Sequence, residues 1–225
     1  DAAAANYDEE AEEDDGSCEY NSSVMLHYHP MVGNQDLAYN QDYTVNGRTV
    51  QFTHVQFYAS KFVFDKSGTP VEPAENYLLV YPGQMMYELD GSLEAGHYHG
   101  LSFFFGVDSA VNTTVAPEDW PAGHALAATN QNFGYWSWSS GYIFAKLEGK
   151  VDTTAAANGT ADYPFVFHVG VNDLLRKVEL TKHFDVEEGD PVMLNIDVDY
   201  AAFLNGIDLR TENETHTMND MPTAI

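Results

Sequence analysis

The sequence predicts an all-β fold, an antiparallel β-sandwich or jelly-roll-like single domain with few short helices. Three observations predict it. From Ser23 onward, short alternating or apolar runs are broken by Gly, Asn, Asp and Pro. Thr, Val, Tyr and Phe dominate these runs, as β-structure favours. Helical periodicity is scarce, and about eight strands in roughly 200 residues are typical of a sandwich.

Each predicted strand is bounded by turn residues. The clearest is 49–65, in which Val50 to Phe57 alternates; Asn46-Gly47 precedes it and Lys66-Ser67-Gly68 follows it as turns. The polar stretch 151–162 is expected to be a surface loop. The predicted strands are 23–29, 49–65, 76–82, 97–107, 142–149, 163–170, 174–184 and 191–199, and weak helical segments are 108–114, 121–131 and 200–206.

The chain is strongly acidic, with 35 Asp and Glu against nine Lys and Arg and a formal charge of −26. This charge excludes a nucleic-acid binder, because phosphate contacts need basic patches. No apolar run approaches the roughly 18 residues of a membrane span, so no membrane insertion is expected. The single cysteine excludes an internal disulfide framework and a Cys-based zinc site. An acidic body favours a saline or extracellular setting.

Residues 1–20 are predicted to be an acidic leader, separate from the domain at 21–225. The leader holds nine acidic residues and no basic one, and the remainder of the chain still carries a formal charge of −17. It resembles the acidic, Cys-bearing repeats of secreted marine bacterial proteins, with Ala5 at the position of the first cysteine and Cys18 at the second. Two interpretations stay open: oxygens from Asp8 to Asp15 bind Ca²⁺, or the segment is a flexible charged linker.

The spacing of histidines indicates a metal site. His27-Tyr28-His29 and His97-Tyr98-His99 both lie in predicted strands, where residues i and i+2 project from the same face. Each pair therefore presents two imidazoles side by side, a clamp that suits Cu, Zn, Ni or Fe. If the two strands are neighbours, four imidazoles converge. Because only neutral imidazole binds a metal, affinity is expected to fall below about pH 6.5.

The other histidines are weaker candidates. His54 and His168 also lie in predicted strands, but a single strand histidine is more often a satisfied core or surface residue. His124, His183 and His216 lie in polar contexts. A serine-hydrolase elbow, a phosphate loop, a dinucleotide fingerprint and a zincin motif are all absent from the sequence. These enzyme classes are therefore not supported by the sequence, although paired carboxylates for glycoside hydrolysis stay open.

The segment 132–149 is the most distinctive part of the sequence. Its string W-S-W-S-S-G-Y-I-F-A-K-L-E-G resembles the signature of the MbnP-like family, secreted copper-binding proteins related to MbnP, CorA and MopE. Weaker matches are 55–60, 96–108 with Asn112, and 167–170, so that the resemblance extends from about residue 23 to the C-terminus. Simple core packing of the aromatic residues is the alternative interpretation.

The resemblance implies an exported domain that binds copper without catalytic turnover. In that family, histidines hold copper together with a tryptophan oxidised to kynurenine, and an MbnH-type dihaem enzyme is the usual partner. In one branch this tryptophan precedes a ligand histidine by two positions. Here His27 stands at the tryptophan position, so an all-imidazole site is expected, and Trp136 and Trp138 are other candidates for oxidation. The expected copper ligands are His27, His29, His97 and His99, with His168 and His54 in reserve.

Two other functions stay open on the sequence. A glycan- or partner-binding module of the cell surface is suggested by 14 tyrosines and by an acidic surface rich in N-glycosylation sequons. The second of these functions is a structural surface or filament subunit that uses the acidic leader as its linker.

Overall fold

The computed structural model describes residues 4–10, 18–137 and 139–216. Within these ranges the chain is mostly β-structure, and the prediction of an all-β sandwich-like domain is confirmed. The strands are β1 (Ser22–Val32), β2 (Gln35–Asp36), β3 (Tyr43–Val45), β4 (Arg48–Lys66), β5 (Thr69–Val71), β6 (Tyr77–Val80), β7 (Met86–Leu93), β8 (Gly96–Phe105), β9 (Tyr135–Ser137), β10 (Gly141–Val151), β11 (Tyr163–Gly170), β12 (Arg176–Val186), β13 (Val192–Asp199) and β14 (Glu214–His216).

Helical structure is brief. The helix α1 spans Ser109–Asn112, and 3₁₀ turns lie at Pro117–Asp119, Asn172–Leu174 and Ala202–Leu204. No helix in the described part of the chain is long and apolar enough to cross a membrane.

The strands form two sheets. The small sheet has the order β13-β1-β2, and β7 also pairs with β1. The large sheet has the order β12-β8-β4-β10-β11-β14, with the short strands β3, β5 and β6 paired to β4 and β9 paired to β10. Most pairs are antiparallel, whereas β1 with β13 and β11 with β14 are parallel. The β1 and β8 strands, which carry the two His-x-His pairs, therefore belong to different sheets.

The main core lies between the two sheets and draws side chains from both. Along β1, buried residues alternate with partly exposed ones, so that Leu26 and Tyr28 point inward. The Tyr28 ring meets Phe57 of the large sheet edge-on, with the ring centroids 6.4 Å apart. Tyr98 of β8 is fully buried in the same core. Since neighbours on a strand alternate faces, the histidines that flank Tyr28 and Tyr98 lie on the two outer faces of the sandwich.

The β8–β12 pairing contains a β-bulge beside the second His-x-His pair. The register joins Thr181 to Gly100 and Phe184 to Tyr98, so three steps along β12 match two along β8. The backbones also approach closely here. A Cβ atom at Gly100 would lie 2.1 Å from the carbonyl oxygen of Leu180, so this position requires glycine.

Each of the eight predicted strands has a counterpart, but two predicted helical segments do not form α-helices. The stretch 121–131 is a series of turns, held by hydrogen bonds such as His124 N–H to the Pro121 carbonyl, and Gly123 with its positive φ of 92° departs from helical geometry. The stretch 200–206 forms only a 3₁₀ turn. Strand β7 was not predicted, since its sequence MYELDGSL contains acidic residues and a glycine that resemble a loop.

Candidate metal centre

Three histidines from two neighbouring strands converge on the outer face of the large sheet. His97 and His99 come from β8 and His183 comes from β12; one ring nitrogen of each lies within 4.8 Å of the others. The His97 Nε2 and His183 Nδ1 atoms are 3.0 Å apart. We call this group the histidine triad. Among the residues that the structure describes, it is the only set of three or more His, Cys, Asp or Glu side chains close enough to hold one ion.

Carboxylates lie behind two of these imidazoles. Asp185 is directly opposite His97 across the β8–β12 pairing, and the His97 Nδ1–H donates to its Oδ1 at 2.7 Å. The Nδ1 atom of His99 lies 3.6 Å from Oδ2 of Asp65, an electrostatic contact rather than a hydrogen bond. A carboxylate that accepts from one ring nitrogen orients the ring and leaves the other nitrogen for a metal. His97 is therefore prepared to bind through Nε2.

The triad is open to solvent. The side chains of His97 and His99 are 45% and 40% exposed. A surface cleft of about 570 Å³ begins at His99 and His183 and continues over Leu101 and Leu180. Three protein nitrogens leave at least one coordination position of a tetrahedral ion unfilled, and the cleft gives solvent or a small molecule access to it.

The first His-x-His pair lies on the opposite outer face, on β1 of the small sheet. His27 Nδ1 lies 2.9 Å from Asn195 Oδ1. His29 has both ring nitrogens occupied, Nδ1 by Asp197 at 2.9 Å and Nε2 by Asp36 at 3.0 Å. Hydrogen bonds to Asp197 and then to Asp36 raise the pKa of His29 above its usual value. The two pairs are on different sheets, so the four imidazoles do not converge.

The reserve candidates also have protein partners. His54 Nε2 hydrogen-bonds to the Gln56 amide oxygen at 2.8 Å. His168 Nε2 donates to Glu148 at 2.8 Å, and the ring centroids of His168 and His216 are 5.0 Å apart. Burial lowers the pKa of His168, although the hydrogen bond to Glu148 acts in the opposite direction. Burial therefore favours the neutral imidazole. The structure thus places both reserve histidines on the large sheet, apart from the triad.

Of the remaining predicted features, one lies within the described residues and the others lie outside them. Trp136 is half-buried in β9, where its ring covers Gly170; a Cβ atom there would lie 2.7 Å from Trp136 Cζ3. Trp138 lies outside the described residues. So do residues 11–17, which hold most of the acidic cluster suggested for Ca²⁺.

His183 is the triad member that the sequence reasoning missed. Its strand ends in H-F-D-V, an alternation that already places His183 and Asp185 on one face with Phe184 on the other. What the sequence does not display is the partner strand, because His183 and His97 are separated by 86 positions along the chain.

Comparison with known proteins gives one family. The family model described as MbnP matches residues 21–219. Among solved structures, MbnP from Methylosinus trichosporium is similar with 13% sequence identity and a TM-score of 0.48, over 82% of this chain and 77% of that chain. No curated protein sequence matches. A TM-score below 0.5 adds no weight, so the family model alone carries the assignment.

Proposed function

The chain belongs to the MbnP family, and we propose that it is an exported, non-enzymatic protein that binds copper on the histidine triad. The convergence of His97, His99 and His183 within 4.8 Å is the observation that carries the proposal. Imidazole nitrogens are ligands that copper accepts readily in either oxidation state. The family resemblance supplies the choice of copper, together with an MbnH-type dihaem enzyme as the proposed partner.

The hydrogen bonds around the triad support this ligand role. His97 keeps its Nδ1 proton on Asp185, so its Nε2 lone pair faces His183. An ion that enters the triad takes the place of the proton shared by these two rings. His183 then binds through Nδ1, once its own proton resides on Nε2. No oxidised tryptophan is required for such an all-imidazole site.

The surroundings favour uptake and release of an ion rather than its permanent enclosure. The triad is exposed beside an open cleft. A chain with a formal charge of −26 draws cations toward its surface, although such a field does not distinguish copper from other metals. We therefore assign the site to storage, sequestration or delivery of copper.

Matched double variants test the proposal. After loading with Cu(II) and desalting, the wild-type protein is expected to retain one tightly held copper per chain, with nitrogen hyperfine structure in its EPR spectrum. His97→Ala/His183→Ala is expected to weaken binding at least about 100-fold, because loss of a ligand's outer partner alone costs about 10- to 100-fold. His27→Ala/His29→Ala removes the same number of imidazoles from the other sheet and serves as the control.

Two results would contradict the proposal. One is a wild-type protein that retains no Cu(II) after desalting. The other is an equal loss of Cu(II) in the two double variants, since the triad would then have no special role.

A further inference from the structure

The methionines are concentrated around the small sheet. The chain has seven methionines. The five within the described residues lie in strands of this sheet or directly before one of them. Met25 and Met31 are in β1, Met86 is in β7, Met193 is in β13, and Met85 directly precedes β7. Methionine is ordinarily a buried residue. Here the exposed fractions reach 59% for Met193, 38% for Met85 and 37% for Met86.

Strand register places three of these methionines at positions that neighbour His27 or its strand neighbour Met25. Met25 is paired with Met193 across the parallel β1–β13 ladder. His27, two residues beyond Met25 and on the same face, is paired with Met86 across the antiparallel β1–β7 ladder. Paired residues on one face of an antiparallel ladder have Cβ atoms about 5 Å apart, and neighbouring strands of any sheet are separated by about 4.8 Å.

The four side chains share the outer face of the sheet. Met25 and His27 alternate with the buried Val24, Leu26 and Tyr28 along β1. In β13 both neighbours of Met193 are buried, and in β7 the residue after Met86, Tyr87, is buried. Side-chain contact across β1–β13 on this face is shown directly by the 2.9 Å hydrogen bond between His27 and Asn195, which are paired in the same register.

The chemistry of this group differs from that of the triad. Thioether sulfur is a soft ligand that selects Cu(I) over Zn(II) and Cu(II), and imidazole completes such a set. The amide oxygen of Asn195 only accepts hydrogen bonds, so the Nδ1 of His27 carries the proton and Nε2 keeps its lone pair. Glu88, paired with Met25 across β1–β7, adds a negative charge beside the group.

From this juxtaposition we propose a second metal site, selective for Cu(I), formed by Met25, Met86, Met193 and His27. We call it the methionine site. It lies on the outer face of the small sheet, opposite to the triad, and does not depend on copper binding by the triad. Its ligand class is a soft monovalent cation, for which Ag(I) is a redox-inert probe.

Methyl NMR tests the methionine site directly. The experiment uses the full chain with the triad disabled by His97→Ala/His183→Ala, labelled with ¹³C on the methionine methyl groups. One equivalent of Ag(I), or of Cu(I) without oxygen, is expected to shift the methyl resonances of Met25, Met86 and Met193. Met31 lies on the same face of β1 but is paired with Asp36 and Asp199, and its resonance is expected to stay in place. Zn(II) at the same concentration is expected to move none of the four.

A substitution series separates sulfur ligation from apolar packing. Met25→Leu/Met86→Leu/Met193→Leu retains volume and apolar character while it removes all three thioethers. It is expected to lower the Cu(I) affinity of this site at least 100-fold, measured by competition with a chromophoric Cu(I) chelator. Met31→Leu is the matched control and is expected to change affinity less than twofold.

Three results overturn the proposal. These are unmoved methyl resonances with Ag(I), an equal shift of the Met31 resonance, and an unchanged Cu(I) affinity in the triple leucine variant. Far-UV circular dichroism of that variant establishes that it is folded; if it is unfolded, the methyl titration of the unsubstituted methionines decides. The proposal for the triad is tested separately, by Cu(II) binding to the wild-type chain, so that failure of one site is distinguished from failure of the other.

Discussion

The two His-x-His pairs have the same spacing, the same tyrosine between the histidines and the same strand geometry, yet they have different surroundings. On β8, His97 and His99 lie beside a third imidazole, His183, with Asp185 behind. On β1, His29 is held by carboxylates on both ring nitrogens, and the neighbours of His27 are an amide and methionines.

The difference shows that the adjacent strand determines which chemistry a strand motif can support. A single strand supplies at most a two-point clamp, because only alternate residues share a face. The third ligand and the outer carboxylate come from β12 for one pair, whereas β13 and β7 supply oxygen and thioether groups for the other. The proposal of a hard or intermediate site on one face and a soft site on the other follows from these neighbours.

The largest expected effect comes from the close backbone approach that positions the triad. Gly100→Ala places a Cβ atom against the Leu180 carbonyl oxygen and is expected to cost about 3 kcal/mol of unfolding free energy, with weaker Cu(II) binding. Gly47→Ala is the control: it has positive φ but no atom within 4 Å, and should cost only about 1 to 2 kcal/mol. Urea unfolding measures both. Equal losses would show that close approach at Gly100 is unimportant.

A smaller effect is expected from the carboxylate behind the triad. Asp185→Ala removes the acceptor that fixes the His97 ring and should lower Cu(II) affinity about tenfold. Its side chain is 77% exposed, so the fold should tolerate the change. Asp197→Ala, which removes a comparable histidine partner on the other sheet, should leave Cu(II) affinity unchanged. Isothermal titration calorimetry compares the two, and a similar loss in both would contradict a specific role for Asp185.

The smallest effect concerns the protonation of His29. Its pKa is raised, chiefly by the hydrogen bond to Asp197 and then by that to Asp36. The protonated form is therefore favoured in the folded state, and its contribution to stability is fully present below the ordinary pKa of about 6.5. That contribution is lost as pH rises through the raised folded pKa. Imidazole NMR titration should show a larger downward shift for Asp197→Asn than for Asp36→Asn; the reverse order would contradict this assignment.

The alternation of apolar and polar residues was enough to predict most of the fold. Periodicity of two is a local property, so the long strand around Val50–Phe57 and the shared face of the two histidines in each pair were visible in the sequence. The aromatic segment 132–149 indicated the family, which the match over 21–219 confirms. Strand β7 was not predicted, because its acidic residues and glycine are typical of a loop.

The sequence by itself determined the acidic charge, the β-sandwich class and the presence of two imidazole clamps, each on one face of its strand. Only the tertiary structure decided that the clamps lie on opposite faces, that His183 joins the β8 pair, and that Met86 is paired with His27 and Met193 with Met25. The physical reason is the range of the interactions. The face on which a side chain lies is fixed by the backbone within a strand, whereas its neighbours depend on pairing between strands far apart in the chain, which core packing of the whole sandwich selects.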